Sequence, residues 1–277
     1  MSSETAVSPR GDTEAPPRAD IEARTLRQDR WWLQPLIIAL GFAAFVVYAT
    51  WAAFNHPIVA GTGHRIYYAH PYLSPLYSPC FVKGCPPQAD WAQLAGPQWI
   101  SPALYILIFP LAFRTTCYYY RKAYYRSFWL SPPACAVAEP HRTYTGERRF
   151  PLILNNIHRW FWYAAVVVAL ILSFDTVLTF RNADGEWGHM GLGSLVMVVN
   201  VLLIAGYTFS CHSCRHIMGG RINNFSKRPI RYWFWTQVSR LNVRHGFFAW
   251  TSLFSVALCD LYIRLVSAGV FDDPRFF

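Results

Sequence analysis

Five stretches of this chain are apolar enough and long enough to cross a lipid bilayer, and that excludes most of what 277 residues could otherwise become. Hydrocarbon about 30 Å thick takes roughly 20 apolar residues of helix. Helix is required because no water is present there to hydrogen-bond an open backbone. The stretches run from about Trp32 to Phe54, Pro102 to Tyr120, Ile153 to Phe180, Met190 to His216 and Val243 to Val266. They predict an all-α membrane protein, a five-transmembrane-helix bundle over residues 31–270 with an outer loop at 55–101 and a C-terminal tail at 271–277. Composition agrees: 53% of the residues are hydrophobic and 14% charged, too few charges for an ordinary soluble domain.

The net charge of +10 invites a nucleic-acid reading, and its placement argues against one. Residues 1–31 hold five arginines, 121–149 six basic residues and 215–240 another six, whereas 55–101 has only Arg65 and Lys83, and 181–189 only Arg181. Basic connections stay on the cytoplasmic side of a membrane, so the N-terminus is expected inside and the C-terminus outside. Residues 1–30 are polar and Pro-rich, and are expected to be a disordered cytoplasmic tail. The apolar segment behind them is too long for a signal peptide, lacks a small-residue cleavage site and is followed by further spans. No internal repeat stands out.

This topology sorts the cysteines. Cys80 and Cys85 fall in the outer loop "SPCFVKGCPP", where an oxidising compartment favours a small disulfide loop. Cys135 in a Pro-rich inner loop and Cys259 deep in the fifth span read as inert. Cys117, Cys211 and Cys214 all approach the inner face, at the ends of the second and fourth spans. The third and fifth spans start at that face with His158 and His245, beside Arg159 and Arg244. One cysteine in a membrane helix is usually a small hydrophobe, whereas an intramembrane histidine is costly. Four helices offering thiols or imidazoles at one depth make a candidate metal site. Cys211 and Cys214, at i and i+3, share a helix face, and without a second CxxC they do not form a zinc ribbon. His212 and His216, beside Arg215, read as interfacial. Arg114 and Asp175 are further ionisable groups in or beside spans. Asp260 and Arg264 stand at i,i+4 spacing, as an internal ion pair or as a polar site for quinone or protons. Nucleotide loops of the GxxxxGK and GxGxxG kinds are missing.

Two histidines from separate helices suit a bis-imidazole haem b, which leaves the cysteines unexplained. Two thiolates with two imidazoles are the ligand set of a Rieske-type [2Fe–2S] centre. Soluble Rieske domains draw that set from two loops of a small β fold, and this chain has no such pair of loops. A metal or small-molecule membrane transporter is a reading from another class; ligand-type residues gathered on one side favour a fixed centre over a path.

With five spans, "NNIHRW" starting the third, "SCHSCRH" ending the fourth and "VRHGFFAW" opening the fifth, residues 31–270 resemble the membrane-anchor subunit of actinobacterial-type succinate dehydrogenase, respiratory complex II. The resemblance implies a multi-pass plasma-membrane protein with no catalytic activity of its own. It implies two soluble partners at the inner face, a flavoprotein that oxidises succinate and an iron–sulfur subunit that relays electrons, and a Rieske-type [2Fe–2S] cluster passing them to a membrane quinone. On that reading His158 and His245 hold one iron and Cys117 and Cys211 the other, one ligand per helix, with Cys214 as the alternative partner of Cys211. Arg159 and Arg244, with Arg215, place positive charge beside the cofactor. His70 and Tyr77 of "YYAHPYLSPLYSPC", with Asp260 and Arg264, are the quinone-binding candidates.

Overall fold

The computed structural model describes residues 25–55, 68–69, 71–77, 102–140, 150, 152–181 and 186–276. Among them, four helical segments are long and apolar enough to cross a membrane: Leu33–Phe54, Ile153–Leu178, Leu192–Phe209 and His245–Ser267. The first is α1. The second joins a 3-10 turn, Leu152–Ile157, to α5 (His158–Leu178); the others are α6 (Leu192–Phe209) and α9 (His245–Ser267).

The remaining predicted span is built differently. Helices α2 (Pro102–Ile106), α3 (Ile108–Thr116) and α4 (Tyr118–Tyr124) follow one another, separated by the single residues Leu107 and Cys117. At Leu107 the ladder carries on, since its N–H donates to Ala103 and its carbonyl accepts from Leu111. At Cys117 the backbone turns extended, with φ −64° and ψ 131°, and the helix breaks. The fourth predicted span is shortened in the same way: α6 ends at Phe209, and Cys211 (φ −63°, ψ 146°) separates it from α7 (His212–Gly219). Helix α8 (Pro229–Asn242) then leads back to α9, with Pro229 opening it where a missing N–H costs nothing.

Helix α9 lies along α6, and α5 packs between α3 and α6. At Gly206 a Cβ would sit 2.6 Å from the Phe248 ring, so the α6–α9 approach depends on a small residue there. Leu40, Val47, Leu170, Leu202 and Leu258 are each 60% exposed or more, as side chains facing lipid are.

At the other end of the bundle from His245, a two-stranded ribbon, β1 (Tyr68–Ala69) and β2 (Tyr72–Leu73), leads into a buried segment. That segment is anchored by polar groups. Asp260 accepts hydrogen bonds from Tyr48 (2.6 Å) and Ser74 and pairs with Arg264 at 2.5 Å. The Arg264 guanidinium also donates to the carbonyls of Asn55 and Ala52, at 2.7 and 2.9 Å. The C-terminal residues close the same end, with Asp273 accepting from Tyr72, Tyr262 and the Gly193 amide. Burial and the Asp273 carboxylate together push the Tyr72 phenol up to about 12.

Residues 25–30 of the expected tail run against the inner loop, where Leu26 bonds to Ala136 and Thr25 to Ala138. The rest of that tail, the Cys80–Cys85 disulfide and His70 lie outside the described residues.

Candidate metal centre

Cys117 and Cys211 occupy equivalent places. Each is a single extended residue between two helices, each is the N-cap of the shorter helix that follows, and each is almost wholly buried, at 2% and 1% exposure. His158 opens α5 and His245 opens α9, so both imidazoles enter from helix starts that meet those two helix ends.

The four residues are joined crosswise. Nε2 of His158 lies 3.1 Å from the Cys211 sulfur, and Nε2 of His245 lies 3.4 Å from the Cys117 sulfur. Nδ1 of His158 is 2.8 Å from the Thr116 hydroxyl, and Nδ1 of His245 is 2.7 Å from the Ser210 hydroxyl. Both hydroxyls already donate their own hydrogen, Thr116 to the Ala112 carbonyl and Ser210 to the Tyr207 carbonyl. Each hydroxyl therefore accepts from Nδ1–H, and that tautomer leaves the Nε2 lone pair facing sulfur. A ligating histidine needs this arrangement, with its other ring nitrogen held by an oxygen acceptor.

The rings are covered as well. Phe113 stacks on His158 at 4.9 Å and 3°, and Tyr207 stacks on His245 at 5.1 Å and 13°. An internal repeat that the sequence reading did not find is thereby visible. An aromatic residue, a hydroxyl residue three positions on and a cysteine directly after it occur as Phe113, Thr116, Cys117 and again as Tyr207, Ser210, Cys211. Each set is followed by asparagine three residues before histidine, Asn155–His158 and Asn242–His245. Helices α3 and α6 end at the site while α5 and α9 begin there, so the two halves meet it in matching ways. The match is too short and too spread out to stand out from a membrane sequence, and only the contacts give it meaning. It is also incomplete: Asn242 donates to the Ser210 carbonyl at 2.7 Å, while the Asn155 amide nitrogen is buried without a partner among the described residues.

Cys214 is fully buried in α7, in the same apolar cluster as Cys117 and Cys211, and no bond joins it to either imidazole among the described residues. Arg159 is exposed and sits 2.6 Å from His216, and Arg244 is exposed at the start of α9. The cation close to the centre is Arg114, whose guanidinium is 4.6 Å from the Tyr207 ring and donates to Tyr120, Ala249 and Ser252. Sequence reasoning missed Phe113, Thr116, Tyr207 and Ser210; the hydroxyl before each cysteine and the aromatic residue four before it were the available signals. Among the described residues, no three or more His, Cys, Asp or Glu side chains converge on one point as around a single ion, and the chain presents two Cys–His pairs instead.

Of the four residues assigned to quinone, Asp260 and Arg264 form the buried ion pair, and Tyr77 donates to the Ala52 carbonyl at 2.9 Å. Asp260 is about 22 Å from His245 along α9 at about 1.5 Å per residue. A cavity of about 330 Å³ opens elsewhere, between α1, α3, α5 and α6. Its lining runs from Pro75 and Leu76 to Phe113, Arg114 and Tyr207, the side chains next to the paired histidines.

Fold and site together define a multi-pass membrane subunit with a buried thiol–imidazole centre at one end of its bundle. The chain belongs to the actinobacterial succinate dehydrogenase subunit SdhC family, whose profile matches residues 33–269. It is similar to a chain of the Mycobacterium smegmatis Sdh1 complex in the apo form, with 52% identity over 95% of this chain and 97% of that one and a TM-score of 0.83. No curated protein matches it. It is thus a plasma-membrane subunit of succinate dehydrogenase, and the enzymatic activity belongs to the complex.

Proposed function

We propose that Cys117, Cys211, His158 and His245 hold a Rieske-type [2Fe–2S] cluster through which succinate dehydrogenase delivers electrons to a membrane quinone. The crossed quartet carries this reading: two sulfurs and two Nε2 atoms, each imidazole held in the ligating tautomer by a hydroxyl at its Nδ1. Each half gives one thiol and one imidazole, and together they would be the ligand set of such a cluster. A haem would need the imidazoles to face each other across a flat slot, whereas here each ring is covered by an aromatic face and points Nε2 at a thiol.

As the anchor, the chain assembles with the flavoprotein and iron–sulfur subunits of succinate dehydrogenase. The basic connections 121–149 and 215–240 face them from the cytoplasmic side. Bound in the quartet, the cluster supplies one-electron transfer at a potential raised by its imidazole ligands. The chain holds Nε2 of both histidines toward the site, covers the rings and keeps water from the sulfurs. The apolar cavity ending at Phe113, Arg114 and Tyr207 suits a quinone: its lining accepts the tail, and its polar groups lie beside the centre.

The test is EPR of the purified, reduced complex together with iron and acid-labile sulfide content. A low-g signal of imidazole-ligated iron–sulfur is expected, and His245→Ala removes it while the signals of the iron–sulfur subunit remain. Sharp haem bands without that signal would overturn the proposal.

A further inference from the structure

The two rings that cover the imidazoles differ at one functional atom. Phe113 covers His158 and Tyr207 covers His245 from equivalent positions, four residues before each cysteine. Stacking on imidazole therefore needs only a phenyl ring, as Phe113 shows within the same molecule. The extra hydroxyl on Tyr207 serves some other purpose, and burial makes it costly to carry. Tyr207 is 2% exposed, and its hydroxyl is buried with no hydrogen-bond partner among the described residues. Buried hydroxyls are nearly always paired, so an orphan points to a group that belongs beside it. Its ring packs with Cys117 and Cys211 in one buried cluster, and the His245 imidazole it stacks on reaches the Cys117 sulfur at 3.4 Å. The Arg114 guanidinium lies against the Tyr207 ring at 4.6 Å but spends its donors on Tyr120, Ala249 and Ser252. That leaves the hydroxyl to donate toward sulfur.

Resting on the iron–sulfur reading above, we infer that the Tyr207 hydroxyl donates a hydrogen bond to the Cys117 thiolate when the centre is loaded and so raises its reduction potential. Donation to a ligand sulfur stabilises the negative charge added on reduction, and hydrogen bonds to sulfur are one of the protein's levers on such potentials. Tyr207 is thus a positioning residue that makes the two sulfur ligands unequal, since Cys211 has only Phe113 in the matching place.

The whole complex carrying Tyr207→Phe tests this by redox titration of the EPR signal. Iron and sulfide content stay at the parental level, because a phenyl ring does the same stacking at Phe113. The midpoint falls by the equivalent of a tenfold loss in the reduction equilibrium, about 59 mV for one electron, and the line positions shift. A fluorinated tyrosine at 207, a stronger donor of nearly the same shape, raises the midpoint and decides the matter should Tyr207→Phe fail to load. An unchanged midpoint in a loaded variant overturns the inference. So does an unchanged midpoint with a raised KM for quinone, which would turn the hydroxyl toward the cavity. A parental complex lacking the signal altogether would sink the cluster reading itself, before either variant is compared.

Discussion

Replacing Ser210 with alanine deletes the oxygen that accepts from His245 Nδ1–H, and the structure allows the loss to be sized. Ser210 is fully buried and His245 is 9% exposed, so water cannot take over the bond at 2.7 Å. A buried donor left without an acceptor costs about 1–3 kcal/mol. Removing such an outer partner typically lowers metal affinity about 10- to 100-fold, or about 1.4–2.7 kcal/mol at about 1.4 kcal/mol per tenfold. The two estimates agree because they describe one event: the imidazole loses both its tautomer and its orientation. The other half of the site serves as a control. Thr116→Val removes the acceptor for His158, but Thr116 is 7% exposed and its histidine is less buried, so water can partly replace it. Ser210→Ala is therefore expected near the hundredfold end and Thr116→Val near tenfold. The assay is loss of the EPR signal and of iron from the detergent-solubilised complex during a timed challenge with an iron chelator. Equal retention in both variants and the parent would refute the reasoning, since the hydroxyls would then do nothing for the histidines.

Three other substitutions test the rest of the structure. Cys214→Ser keeps the EPR signal whereas Cys211→Ser abolishes it, because Cys211 and not Cys214 faces an imidazole; the reverse result would move the site one turn along α7. Arg264→Leu strands the buried Asp260 carboxylate and lowers stability by about 3–5 kcal/mol, read as a lower melting temperature of the complex, with the Asp260→Asn, Arg264→Leu double variant recovering part of the loss. Cys135 is exposed on the loop after α4, so a membrane-impermeant maleimide labels it in inverted vesicles stripped of the soluble subunits and not in intact cells; labelling in intact cells would reverse the proposed orientation.

The site depends on breaks in two helices rather than on continuous spans. An unbroken α6 would carry the Cys211 side chain round with the helix, whereas the extended residue turns the chain and lets α7 leave at an angle. The same device at Cys117 explains why α3 and α4 do not form one long helix. Predicting 102–120 and 190–216 as single spans follows from hydropathy alone, which is blind to a one-residue kink: a cysteine is equally apolar whether its backbone is helical or extended.

Much was legible from sequence because membrane insertion is a one-dimensional constraint. Hydrocarbon thickness sets the length of an apolar run, and loop charge points to its direction, so His158 and His245 could be placed at the same depth as Cys117 and Cys211 from counting alone. Depth, however, is one coordinate out of three. Which sulfur meets which nitrogen, that Thr116 and Ser210 select the tautomers, that Arg114 lies against Tyr207, and that Tyr48 and Ser74 join the Asp260–Arg264 pair all depend on how the helices rotate and cross. Rotation is decided by packing between helices, at places such as Gly206 against Phe248, and a small residue or a ring acts there only through the neighbour it meets.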